Sequence, residues 1–284
     1  MSYDLERYQE NGIATPIPVI GNAQAADICA RVQAFRASGD SRADLALQAS
    51  PHLLFPWLYA LATGSRVLDA VEQILGPDLL IWSSQFFIKD PGDGGFVSWH
   101  QDSTYWGLEP LTIASAWIAL APSTPESGCM QVAPGSHNLD QLPHKDTFAP
   151  GNLLSRGQEI AVDISGMETL DVVLQPGEMS LHHVALVHGS QANRSTWSRI
   201  GFVVRYIPTS VRQLGGRTRA TLVRGEDRYN HFQLTEPPVG ELTDQSWAIA
   251  MDAKARMAAI LMQSAAQKSR YASHHLAPAT DSEG

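Results

Sequence analysis

The residues best suited to chemistry are His100 and Asp102, a His-X-Asp pair within Ser98-Trp99-His100-Gln101-Asp102-Ser103, and His188, within Leu186-Val187-His188-Gly189-Ser190. Two imidazoles and one carboxylate on one face of an octahedron leave three coordination positions open, the facial arrangement that suits non-heme Fe(II). Such positions admit a bidentate co-substrate and dioxygen. Arg199 follows His188 by eleven residues. Its planar fork of donors can meet a carboxylate through two parallel hydrogen bonds, which suits the far carboxylate of 2-oxoglutarate. Ser190 stands two residues after His188 and offers a hydroxyl to the same group.

These side chains need strands to aim them. Residues i and i+2 of a strand share a face, so a strand ending near His100 and Asp102 would point both at one metal. Residues 81–89, Ile-Trp-Ser-Ser-Gln-Phe-Phe-Ile-Lys, carry the aromatic and β-branched content of a strand, and 91–95, Pro-Gly-Asp-Gly-Gly, read as the turn that follows. Gln85 on that strand is expected to contact the co-substrate or the substrate. A further strand over 179–184, after Pro176-Gly177, leads towards His188. Residues 199–206 form another, on which Arg199 and Arg205 share a face, making Arg205 a candidate for an anionic group of the substrate. Tyr105 and Trp106 follow Asp102 closely and are candidates for the mouth of the site. The other histidines are expected to have no metal role: His182 and His183 as packed or hydrogen-bonded strand residues, His137 and His144 in loop-like sequence, and His274 and His275 in a tail.

Four segments in order carry a specific resemblance over residues 5 to 210. They are Trp99-His100-Gln101-Asp102, Ser115-Ala116-Trp117-Ile118-Ala119-Leu120, the run from Glu126 to His137 containing Pro134-Gly135-Ser136-His137, and His188-Gly189-Ser190-Gln191-Ala192-Asn193-Arg194-Ser195 followed by Arg199. In these the chain resembles the phytanoyl-CoA dioxygenase family of Fe(II)- and 2-oxoglutarate-dependent oxygenases. The resemblance implies a mainly β fold with flanking helices (α+β), a double-stranded β-helix or jelly roll of cupin-like form. It implies that His100, Asp102 and His188 ligate Fe(II), that Arg199 and Ser190 hold the 2-oxoglutarate tail, and that Trp117 lies beside this co-substrate. It implies O2 as the oxidant and hydroxylation of an unactivated C–H bond of a small molecule, with release of succinate and CO2. Related halogenases replace the motif aspartate by a small residue; Asp102 is present here. His137 is assigned a loop-ordering role. The same iron site could serve desaturation, epimerisation or cyclisation. From a different class, a non-catalytic β-barrel could hold a metal and a carboxylate without turnover; the intact triad and arginine weigh against it.

Bulk properties agree with one domain over 1–284. Hydrophobic content of 44% suffices for a core, and the net charge of −9 argues against a broad nucleic-acid-binding surface while allowing an anionic small substrate in a basic pocket. No apolar run long enough to span a membrane is present, the first residues lack the pattern of a signal peptide, and the two cysteines, Cys29 and Cys129, read as thiols in a reducing cytoplasm. Residues 1–78 are expected to be mainly helical and packed on the barrel, 79–208 to hold the catalytic β-helix, and 209–240, with Arg212, Arg217, Arg219, Arg224 and Arg228, to form a connection that could fold over the barrel mouth. Residues 241–270 show helical spacing of apolar residues, and 271–284 read as a disordered tail.

Overall fold

The structure, a computed structural model, describes residues 5–262. The expected tail and His274 and His275 lie outside the described residues, as does the end of the expected C-terminal helix.

Two sheets form the body. The major sheet has seven strands in the order Ile13–Pro18, Glu178–His183, Ala114–Ala119, Arg199–Pro208, Leu79–Lys89, Arg219–Arg224 and Gln233–Leu234. All its pairs are antiparallel except the last. The minor sheet has four, in the order Val97–His100, His188–Ser190, Met130–Val132 and Leu170–Val172. This is the double-stranded β-helix expected from the resemblance.

Alternation along the major strands explains how the sheet is covered. On Arg199–Pro208, Ile200, Phe202, Val204 and Tyr206 join one buried apolar cluster with Phe86, Ile118, Met179 and Leu181 of neighbouring strands. The helices Asn22–Ala37, Pro56–Ala62 and Ser65–Leu75 supply Ile28, Val32, Leu58, Leu61, Leu68 and Val71 to the same cluster. Each such side chain, fully buried, stabilises the fold by about 1.5–3 kcal/mol; Phe86 and Phe202 add a ring contact at 5.0 Å. The opposite face of the same strands carries Ser83, Gln85, Arg199, Val203 and Arg205, which line a cavity between the sheets together with His100 and His188. Arg199 and Arg205 thus share a face, as the two-residue period requires.

Two expectations change here. The helical N-terminal part also contributes a strand, Ile13–Pro18, paired to Glu178–His183. Its prolines, Pro16 and Pro18, argue against a central strand but are tolerated on an edge, and this strand is the edge of the sheet. No residue of 209–240 lines the cavity. These residues supply the strands Arg212–Gln213, Arg219–Arg224 and Gln233–Leu234, and their arginines are absent from the cavity wall. Arg219 pairs with Asp252, Arg224 with Asp69 and Glu72, Arg212 with Glu109, and Arg228 with Asp78 and Glu226. The wall at that end comes instead from the helix Asp244–Leu261, through Lys254, Met257, Ala258 and Leu261. Thr243 starts this helix by accepting from the Ser246 N–H at 3.1 Å, the usual role of a hydroxyl N-cap. Among the described residues no helix is long and apolar enough to cross a membrane.

Candidate metal centre and carboxylate pocket

His100 ends the strand Val97–His100 and His188 opens the strand His188–Ser190; the two are partners in register. Their rings lie 4.1 Å apart between centroids. Asp102 is not on the strand with His100, as the two-residue spacing implied, but just beyond it, in helical conformation before the short helix Ser103–Trp106. The chain turns back after Gln101, and the carboxylate still reaches the imidazole, with Asp102 Oδ1 3.3 Å from His100 Nε2. One ligand atom from each of the three residues lies within 4.8 Å of the others.

The turn is held by Gln101, a residue whose role the sequence did not reveal. It is fully buried. Its Nε2 donates to the Ala185 carbonyl at 2.9 Å, its Oε1 accepts from Leu142 N and Gln141 Nε2, and its backbone N–H donates to His144 Nε2. His144 therefore belongs to the strand His144–Asp146 rather than to a loop. His137 does order the surrounding chain, accepting no place in the cavity and contacting the Gln9 carbonyl at 3.1 Å.

The donor set suits a metal of intermediate softness. His100 Nδ1 and His188 Nδ1 each lie 2.9 Å from a backbone carbonyl, of Ser98 and Leu186. A carbonyl only accepts, so each Nδ1 carries the proton and each Nε2 keeps its lone pair for a metal. Burial pushes the His188 imidazole down to about 3, favouring that neutral form. Burial works against ionising Asp102, yet His100, His188 and Arg205 outweigh it and hold the carboxyl well below the usual carboxylate range.

Arg199 also lines the cavity, with the amine of Lys89 near it. Arg199 is 2% exposed and donates through Nη1 to the Gly128 carbonyl, while its Nε has no partner. Gly128 can offer that carbonyl because its φ of +69° and its approach to Gln191 O, 2.2 Å from where a Cβ would stand, exclude any side chain. Trp117 lies under the Arg199 guanidinium at 5.3 Å. Its indole fits only because residue 201 is glycine: a Cβ there would fall 2.0 Å from the ring. Lys89, missed as a candidate, is fully buried and donates to Ser190 Oγ at 2.7 Å, Ser190 O at 3.2 Å and Gln191 O at 2.5 Å. Burial, then the neighbouring Arg199, pull its amine down to about 6. A buried guanidinium whose printed acceptor is a neutral carbonyl forms a site that an anion would complete. The orphaned Arg199 Nε and the Ser190 hydroxyl fit the tail of a dicarboxylate. Asn193 braces this end, donating to Lys89 O at 2.8 Å. The later motif residues thus hold the two sheets in register.

A model of the phytanoyl-CoA dioxygenase family matches residues 8–201. The chain belongs to that family. Fe(II), 2-oxoglutarate and O2, the cofactor and co-substrates expected from the sequence, are those of the phytanoyl-CoA dioxygenase family. The chain is 30% identical over 163 residues to a probable alpha-ketoglutarate-dependent hypophosphite dioxygenase of Stutzerimonas stutzeri, an alignment covering 55% of each. It thus spans about half the length of the curated relatives it matches. Among solved structures, the non-heme monooxygenase ThoJ in its apo form superposes with a TM-score of 0.81 and 33% identity, over 91% of this chain and 97% of that one. CytC3 with Fe(II) and alpha-ketoglutarate shares the fold, with a TM-score of 0.62 at 22% identity over 86% of this chain and 96% of that one.

Of the remaining candidates, Gln85, Tyr105, Trp106 and Arg205 all line the cavity. So does His182, read from the sequence as a packed histidine; its ring lies 5.1 Å from that of His188.

Proposed function

We propose that the protein is an Fe(II)- and 2-oxoglutarate-dependent dioxygenase that hydroxylates an unactivated C–H bond of a small molecule. The observation that supports this best is the pairing, in one cavity, of a two-histidine, one-carboxylate cluster with the buried guanidinium of Arg199 beside the Ser190 hydroxyl. His100, Asp102 and His188 would hold the metal; Arg199 and Ser190 would hold the tail carboxylate of 2-oxoglutarate, with Trp117 against its chain and Lys89 fixing Ser190 from behind. When bound, iron and co-substrate supply the oxidising equivalents, converting 2-oxoglutarate to succinate and CO2 as the substrate gains oxygen.

The residues of this chain contribute geometry and exclusion of water. The backbone carbonyls of Ser98 and Leu186 fix both imidazoles. Gln101 fixes the turn that delivers Asp102. The Gly128 carbonyl leaves the Nε edge of Arg199 directed at the pocket. Met257 and Leu261 of the C-terminal helix close the wall against solvent. An ordered donor array in a dry cavity interacts with the co-substrate more strongly than it would in water.

The test is anaerobic titration of metal-free protein with Fe(II) and 2-oxoglutarate, followed through the weak visible charge-transfer band of the chelate. A band that forms in the wild type and is lost in His188→Ala supports the site; folded protein that binds iron without developing the band overturns it. Hydroxylation is then distinguished from desaturation, epimerisation or cyclisation by incorporation of label from 18O2 into product.

A further inference from the structure

The interior face of the major sheet carries a second polar row, separate from the Arg199 end. In register across four strands stand His182, Ser115, Arg205 and Ser83. All four are buried, and three of them, His182, Arg205 and Ser83, line the cavity. The row is short of partners. Among the described residues Arg205 Nε, His182 Nδ1 and Ser115 Oγ have none, and the contact from Arg205 Nη1 to Ser83 Oγ is long, at 3.4 Å. Buried donors in this state cost free energy unless something completes them.

Arg205 is 7% exposed and its guanidinium lies over Trp106, 4.9 Å from the ring centroid. The indole face holds the cation, and the unpartnered Nε leaves a donor for an acceptor such as a carboxylate. Asp102 is the carboxylate that acts on Arg205, and on the proposed reading its charge is committed to the metal. Fe(II) with Asp102 and the 2-oxoglutarate dianion carries one net negative charge, whereas the guanidiniums of Arg199 and Arg205 alone supply two positive ones. A loaded site therefore still lacks anionic charge, and the lack falls at Arg205, since the co-substrate tail serves Arg199. Arg199 and Arg205 are six residues apart on one strand, their Cα atoms roughly 20 Å apart at about 3.3 Å per residue, so they stand at separate stations along the cavity wall. Beyond Arg205 the wall is apolar, formed by Trp82, Trp106, Met257 and Leu261, with Lys254 at the same end.

We infer that this row is the substrate's anchor: Arg205, with Ser83, binds a carboxylate on a substrate whose body is apolar, and so places a nearby C–H bond at the metal. This rests on the function proposed above and adds the chemical class of the substrate.

The experiment uses full-length protein loaded anaerobically with Fe(II) and saturating 2-oxoglutarate. Octanoate and 3-phenylpropanoate are titrated against their primary amides, reading perturbation of the charge-transfer band. Each acid is expected to bind at least roughly tenfold tighter than its amide, consistent with a charge-assisted hydrogen bond. Arg205→Met should reduce that preference to within about twofold, and Arg205→Lys should restore part of it. The band must form with 2-oxoglutarate in Arg205→Met, showing the variant to be folded and loaded. Equal binding of acid and amide, no binding of either acid, or a preference that survives in Arg205→Met overturns the anchor while leaving the cofactor reading intact. Failure of the band itself in the wild type overturns both.

Discussion

Asp102 shows how much one side chain can carry when its neighbours are aligned to it. It is the single anionic ligand among the three candidates, and its two histidine partners are both neutral donors with their protons committed to backbone carbonyls. Asp102→Ala is expected to abolish product formation and to weaken Fe(II) binding at least tenfold, measured by competition with a coloured chelator; full turnover would remove it from the ligand set. Lys89 acts through a different atom. Its three donors fix Ser190 and Gln191, and its charge lies beside Arg199. Lys89→Met should raise the 2-oxoglutarate concentration for half-maximal rate by roughly tenfold or more, the value of a charged hydrogen bond, with little change in the substrate's. A matching rise for both would reduce Lys89 to a structural part. At residue 201 the constraint is steric. Gly201→Ala would drive a methyl into the Trp117 ring, and overpacking of that kind costs about 1–3 kcal/mol, which chemical denaturation would register together with weaker co-substrate binding.

Among the elements, the C-terminal helix and the hairpin of His144–Asp146 with Gln158–Ile160 matter most for access. Leu153, Leu154 and Ser155 of the hairpin loop and Met257 and Leu261 of the helix line the same cavity. Arg156 joins them: it pairs with Asp146, lies 4.8 Å from the Tyr105 ring, and donates to the Leu261 carbonyl at 2.9 Å. A cation at a helix C-terminus also favours the helix dipole. Arg156→Met should therefore speed hydrogen exchange in the last turn of the helix and raise the KM for substrate, while the affinity for 2-oxoglutarate holds; unchanged exchange would disconnect the two elements. Neither element was legible as part of the site. The helix showed only its apolar spacing, and its distance in sequence from the ligands hid the face it gives to the cavity.

At the scale of the molecule, burial of neutral histidines sets a pH dependence. Burial pulls His52 down to about 3, below the unfolded value of about 6.5. Above that value both states are neutral and the stability is intact. As pH falls from about 6.5 towards 3 the unfolded chain binds a proton that the folded one does not, so stability declines by up to about 1.4 kcal/mol per pH unit. Metal-free protein should show this decline between pH 6.5 and 5 in denaturant midpoint, and a His52→Asn variant should show a shallower one; an identical slope would assign the loss to other groups. The sequence by itself brought forward the candidate donor set and the strand-borne Arg199, because ligand types, short motifs and a two-residue alternation are local properties, and the order of its motifs carried the resemblance that implied the fold. It also placed Arg199 and Arg205 on one face, since the period of a strand leaves no choice. Tertiary structure decided what depends on partners distant in the chain. The edge position allowed prolines in the strand Ile13–Pro18, and acidic residues on the helices Ser65–Leu75 and Asp244–Leu261 drew Arg224 and Arg219 into the sheet's flank rather than onto the cavity wall. Burial placed Lys89 behind Ser190 and made His182 a cavity residue. No local pattern marks either role, because the cost of an unpaired polar group exists only once the surrounding chain has excluded water from it.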